Sequence, residues 1–238
     1  RVDRNIPPQY RDVDLDILSN ELHQLLTWVH DDTLFQRPPF TGVPDHLKRV
    51  NDIAFSGDGE PTSYPRFADV VRGAAETRDA FGLQKVKLVV ITNCTLFHRP
   101  VVGEALAYMD IHNGEIWAKL DAGTSDYYQT IDRTKVPFER IVENIKQVAQ
   151  DRAIVIQSLF MNVKGAPPPD SEIDAYCSIL SDVMKTDGGL RLIQLYTVAR
   201  QPAEPFVSPL TDNAMNRLGD YVRERVAAPV DVYYGVSG

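Results

Sequence analysis

Asp52-Ile53-Ala54-Phe55-Ser56-Gly57-Asp58-Gly59-Glu60-Pro61-Thr62 decides the fold. A short apolar run with strand character ends in a glycine-rich acidic turn, and Pro65 then opens a helical pattern. Gly57 and Gly59 let the backbone approach a ligand closely, and Glu60 places a carboxylate at the same spot. No Lys follows the glycines, which separates this turn from a phosphate-cradling P-loop. The combination suits a small molecule carrying an ammonium group; the alternative is a tight turn whose Glu is simply solvated.

The same alternation of strand and helix continues outward. Strand character recurs at Val50–Ser56, Val86–Thr92, Glu115–Leu120, Ala153–Leu159 and Leu190–Val198, with a last apolar run at Val230–Tyr234. Helical patterns lie at Asp14–His30, Arg66–Phe81, Val101–Tyr108, Phe138–Gln150, Ser171–Thr186 and Asp212–Val226. Corresponding strand ends repeat at intervals of roughly 28–38 residues, the signature of βαβ units and a parallel sheet. No linker or low-complexity segment interrupts them, so residues 1–238 read as one domain.

Parallel strands are buried on both faces, and a polar residue inside one needs a reason. Here polar residues collect at the carboxyl ends: Ser56, Asn93, Lys119 with Asp121, Gln157 with Ser158, and Gln194 with Tyr196 and Thr197. That edge is where ligands bind in α/β sheets and barrels. Lys119 and Asp121 share a strand face, either as an ion pair within the sheet or as ligand contacts. Asn93 reads as a strand-end cap or as a donor and acceptor toward a ribose or carboxylate. Arg200 lies just past a strand end, where it is either solvated or grips a carboxylate or phosphate.

Composition narrows the classes. The 238 residues are 43% hydrophobic, enough for a large core. A net charge of −8 disfavours a polyanion-binding surface, and with it nucleic acid. No apolar run approaches the ~18 residues that span a bilayer. Cys94 and Cys177 are too few and too far apart for a disulfide framework or a zinc site, and free thiols fit a cytoplasmic enzyme. None of the five histidines shows metal-ligand spacing.

Phe55 to Thr62 with Pro65 resembles the GxGEPT form of the glycine–glutamate motif in radical S-adenosylmethionine (radical SAM) enzymes. The closest pattern is that of the iron–sulfur oxidoreductase group related to the wyosine-base synthases. Ile91-Thr92-Asn93, Lys119-Leu120-Asp121-Ala122, Gln157-Ser158-Leu159-Phe160 and Gln194 to Val198 with Arg200 and Pro202 are similar to that group's strand ends, in order. The resemblance implies an α/β fold, the partial (β/α)6 TIM-like barrel. It implies that Gly57, Asp58, Gly59, Glu60 and Pro61 bind the methionyl ammonium of S-adenosylmethionine. Asn93 and Asp121 would approach its ribose or carboxylate, with Lys119, Ser158 and Tyr196 beside them and Arg200 on the substrate side. It also implies a [4Fe–4S] cluster, a reducing electron donor and a 5′-deoxyadenosyl radical that takes hydrogen from a substrate the sequence does not identify.

The chain departs from the group in one respect. The CxxxCxxC cluster loop is absent, and Val2-Asp3-Arg4 matches a point just after its third cysteine, so the ligands and the first strand are expected upstream of Arg1. Cys94 and Cys177 cannot hold such a cluster. Two other readings stay open: a (β/α) barrel lyase with Lys119 as Schiff-base nucleophile, and a non-catalytic S-adenosylmethionine-binding domain.

Overall fold

A computed structural model describes residues 13–57 and 59–235. Asp58 and the Val2-Asp3-Arg4 match point lie outside the described residues. The chain divides into two compact units, Arg1–Val90 with His98–Glu115, and Ile91–Phe97 with Ile116–Gly238.

The first unit carries α1 (Leu15–His30), β1 (Asp52–Phe55), α2 (Phe67–Ala80), the start of β2 (Lys87–Thr92) and α3 (Pro100–Ile111). β1 and β2 pair in parallel, Asp52 level with Lys87 and Phe55 with Val90. Leu88, Val89 and Val90 are fully buried, as a strand covered on both faces requires. Asp14 starts α1 by accepting hydrogen bonds from the backbone of Asp16 and Ile17. Only Leu26 of α1 is buried, and Ile17, Leu18 and Leu25 remain exposed, so its apolar stripe is only partly covered. Arg78 on α2 is 1% exposed yet satisfied, donating at 2.8 Å to the carbonyls of Val86 and His112 and pairing with Asp79. A buried guanidinium so tied joins α2 to the approach of β2 and to the end of α3.

The second unit carries most of β3 (Gly114–Lys119), α4 (Ser125–Ile131), α5 (Phe138–Asp151), β4 (Ile154–Leu159) and β5 (Met161–Val163). It continues with α6 (Asp170–Val183), β6 (Leu190–Tyr196), β7 (Val207–Pro209), α7 (Asp212–Arg225) and β8 (Val230–Tyr233). β3 pairs in parallel with β4, β4 with β6, and β6 with β8. Ile156, Ile193 and Leu195 are fully buried. The fold is therefore α/β with parallel strands alternating with helices, as the strand period predicts.

Three elements were not expected. α4 is a short helix capped by Thr124, whose hydroxyl accepts from the Tyr127 backbone. β5 and β7 form a small antiparallel pair, with the Asn162 amide donating to the Pro209 carbonyl at 2.8 Å. β6 also ends at Tyr196 rather than Val198: the Thr197 hydroxyl instead receives the Leu210 backbone N–H at 2.9 Å.

Candidate functional site

In the first unit, β1 delivers the chain to the glycine turn. Glu60 caps the following turn, Pro61–Ser63: one carboxylate oxygen accepts the Thr62 hydroxyl at 2.6 Å and the Thr62 backbone N–H at 3.2 Å. Arg99 donates to the carbonyls of Thr62 and Ser63 at 3.1 Å and holds the turn from the start of α3. Among the described residues, a Cβ placed on Gly57 or Gly59 would meet no atom within 4 Å apart from those of its chain neighbours. Protein packing therefore does not require these glycines. That contrasts with Gly123, where a Cβ would collide with the Tyr176 backbone.

In the second unit, the carboxyl ends of β3, β4 and β6 bring Lys119, Asp121 and Tyr196 together. Lys119 Nζ donates to the Tyr196 hydroxyl at 2.6 Å and lies 3.3 Å from the Asp121 carboxylate. Asp121 is 7% exposed, and its other oxygen accepts the Leu159 backbone N–H at 2.7 Å. Burial alone would lower the Lys119 pKa, but the Asp121 carboxylate and Tyr196 outweigh it and hold the ammonium above its ordinary value. The Tyr196 phenol is raised, by burial first and then by Asp121. This arrangement is charged and donor-rich. It does not suit a Schiff-base nucleophile, which needs a lowered amine pKa.

Gln157 and Gln194 lie beside this group, the Gln157 amide donating to the Gln194 carbonyl at 3.1 Å. Ser158 is drawn away from it. Strand alternation turns Ser158 to the opposite face, where it is fully buried and shares a 2.7 Å hydrogen bond with the Tyr176 hydroxyl of α6. Asn93 makes the cap that was one of its two readings: its side-chain oxygen accepts from the Thr95 hydroxyl at 2.7 Å and the Thr95 backbone at 3.1 Å. Arg200 is exposed. Gly57, Gly59, Glu60 and Pro61 belong to the first unit, and Asn93, Lys119, Asp121, Ser158, Tyr196 and Arg200 to the second.

Two acidic residues of the second unit carry roles that the sequence reading missed. Asp132 follows α4, its N–H bonded to the Tyr128 carbonyl at 2.8 Å. Burial, then the Asp121 carboxylate, push its pKa up to about 7, against the pull of Lys119. Glu172 on α6 is 2% exposed and accepts both the Gly123 backbone N–H and the Thr124 hydroxyl, which fixes the β3–α4 turn directly after Asp121. Asp132 sits in a short segment with no apolar stripe, and Glu172 stands on an expected helix but makes its contacts about 48 residues away in sequence, so neither gave a local signal. Cys94 and Cys177 are both buried and form no disulfide with each other, and burial pushes the Cys177 thiol up to about 11. Among the described residues no three His, Cys, Asp or Glu side chains group to hold a metal. No helix among them is long and apolar enough to cross a membrane.

No family model matches the sequence. Among curated proteins, a GTPase Obg of Brachyspira hyodysenteriae aligns at 23% identity over 190 residues, which is 78% of this chain and 25% of that protein. The chain thus spans about a quarter of that relative's length. Among solved structures, SuiB of Streptococcus suis bound to S-adenosylmethionine matches with a TM-score of 0.62 and 15% identity, over 98% of this chain and 45% of SuiB. TYW1 with a lysine–pyruvate adduct bound matches at 0.59 and 16% identity, over 95% of this chain and 67% of that one. Archaeal TYW1 matches at 0.56 and 14% identity, over 94% and 68%. At these identities the likeness is one of fold, and the chain has the α/β fold of the radical SAM type.

Proposed function

We propose that this chain is the S-adenosylmethionine-binding part of a radical SAM enzyme, acting as a single domain. The observation that carries the reading is the fold match to S-adenosylmethionine-bound SuiB along 98% of the chain. The GxGEPT-like turn supports it independently, because among the described residues nothing beyond the chain neighbours packs where a side chain on Gly57 or Gly59 would stand. In this reading Gly57, Gly59, Glu60 and Pro61 receive the methionyl ammonium, Glu60 supplying the countercharge. Asp121, oriented by the Leu159 backbone and Lys119, accepts from the ribose hydroxyls or faces the ammonium end. Lys119 and Tyr196 donate to the cofactor or its carboxylate, and Arg200 meets the substrate.

The described residues do not fit a [4Fe–4S] cluster. Such a cluster takes closely set thiolates, whereas Cys94 and Cys177 are two, both buried, and Cys177 is held in its thiol form at neutral pH. What these residues supply is binding and orientation of the cofactor. Lyase chemistry at Lys119 is the weaker reading, because Asp121 and Tyr196 keep that amine protonated. A GTPase reading is weaker still, since no Lys follows the glycines of the turn.

Calorimetric titration tests the proposal. S-Adenosylmethionine is expected to bind saturably, and more tightly than methionine or adenosine alone. Heats no larger than those of ligand dilution would overturn it.

A further inference from the structure

The parallel register carries a polar row across four strands of the second unit. Lys119 on β3 is level with Gln157 on β4, Gln157 with Gln194 on β6, and Gln194 with Asp231 on β8. Residues level with one another share a sheet face, so all four project to the same side. Two residues on, Tyr196 and Tyr233 are level on that side as well. The other face holds Ala118, Ile156, Ile193 and Leu195, all fully buried. Packing of a parallel sheet selects apolar residues on both faces, so the polar positions Lys119, Gln157 and Gln194, none of them exposed, answer to something else, and the exposed Asp231 extends their row.

The row has a direction. The Gln157 amide donates to the Gln194 carbonyl, which turns the Gln157 carbonyl toward other donors and the Gln194 amino group toward other acceptors. Gln194 is only 7% exposed, so its amide is held in place. At one end Lys119 is already balanced by Asp121, and at the other Asp231 adds an exposed carboxylate. Burial, the charge of that neighbouring carboxylate and the hydrogen bond the phenol gives it raise Tyr233, so the phenol orients Asp231. Beyond Lys119, which the cofactor reading uses, the row offers an amide pair beside a carboxylate.

We propose that this row binds the amine-bearing end of the substrate, with a primary ammonium on Asp231 and an adjacent carboxamide or peptide group on the Gln157–Gln194 pair. Gln amides bond well to a group that presents a donor and an acceptor side by side. Adjacent strands lie about 4.8 Å apart, so an ammonium on Asp231 leaves an amide one residue along over the glutamines. Tyr196 and Tyr233 flank that position. The proposal rests on reading the strand-end cluster as a ligand site.

Nuclear magnetic resonance with glycylglycinamide as probe tests it. The side-chain amide signals of Gln157 and Gln194, assigned with Gln157→Asn and Gln194→Asn, are expected to move and saturate. N-Acetylglycylglycinamide, which lacks the ammonium, and the Asp231→Asn variant should each bind about tenfold more weakly, the cost of one charge-assisted hydrogen bond. Asp212→Asn on α7 should bind as the parent does. Unmoved signals, equal binding of the acetylated probe, or larger shifts with adenosine would overturn the proposal. S-Adenosylmethionine is titrated in a separate sample, so loss of the cofactor reading and loss of this one show in different experiments.

Discussion

Lys119 and Tyr196, 77 residues apart in sequence, meet through a 2.6 Å hydrogen bond from ammonium to phenol at the carboxyl ends of β3 and β6. The Asp121 carboxylate 3.3 Å away completes a cation held from two sides. Each partner alone is ordinary. Together they reverse what burial would do to a lysine and keep it charged.

The first expectation follows from that charge. An amine that stays protonated at neutral pH does not add to a carbonyl, so borohydride reduction in the presence of pyruvate should leave the Lys119 peptide unmodified. Mass spectrometry of the digest reads the outcome. A reduced pyruvyl adduct on Lys119 would restore the lyase reading.

Asp132 gives the protein a pH dependence of definite sign. Its folded-state pKa is raised from 3.8 to about 7, by burial and then by Asp121. The folded chain therefore keeps a proton that the unfolded chain has already released. Between about pH 4 and pH 7 the unfolded state binds fewer protons, and stability falls as pH rises. Asp132→Asn removes this term, so the variant should gain on the parent by about 1–2 kcal/mol at pH 8 relative to pH 5, after allowance for screening. Urea denaturation at both values measures the difference. A variant that tracks the parent at both would show that the carboxyl titrates normally.

Glu172 should matter more to stability than its place on a helix suggests. Removing its carboxylate leaves the Gly123 N–H and the Thr124 hydroxyl without their acceptor in a buried turn. Glu172→Ala is expected to cost about 2–3 kcal/mol, whereas Glu172→Gln, which keeps one acceptor, should cost less. Thermal denaturation of the two variants at one pH decides it. Equal losses would mean that packing of the side chain, rather than hydrogen bonding, holds the turn.

The strands and long helices were legible because their signals are local. Leu88-Val89-Val90 is a buried run between polar ends, and Phe138–Asp151 repeats apolar residues at helical spacing, as its buried Ile141, Ile145 and Val148 show. α4 was not legible, since Ser125–Ile131 is two turns long and buries only Tyr128. β5 and β7 are three residues each, too short for any period, and β7 ends in Pro209. At the site, the polar strand ends could be read as a group. The split between Gln157 and Ser158 required strand alternation to be applied residue by residue. Asp132 could not be read, because its altered acidity comes from burial first and then from Asp121, both of which tertiary packing creates.

The last expectation concerns the cofactor contacts. If Glu60 and Asp121 face S-adenosylmethionine, Glu60→Ala and Asp121→Ala should each weaken its binding by about ten- to a hundredfold, the loss of one charge-assisted hydrogen bond. Glu143→Ala, at an exposed position of α5, should bind as the parent does. Asp121→Asn separates the possible causes. It keeps an acceptor for the Leu159 backbone N–H but loses the charge that balances Lys119. If Asp121 acts only by holding β4 in place, the Asn variant should bind normally. If its charge meets the ligand or sets the Lys119 ammonium, binding should fall with both substitutions. Calorimetric titration, with circular dichroism to confirm folding, gives the answer, and unchanged affinity in all four variants would move the pocket away from these residues.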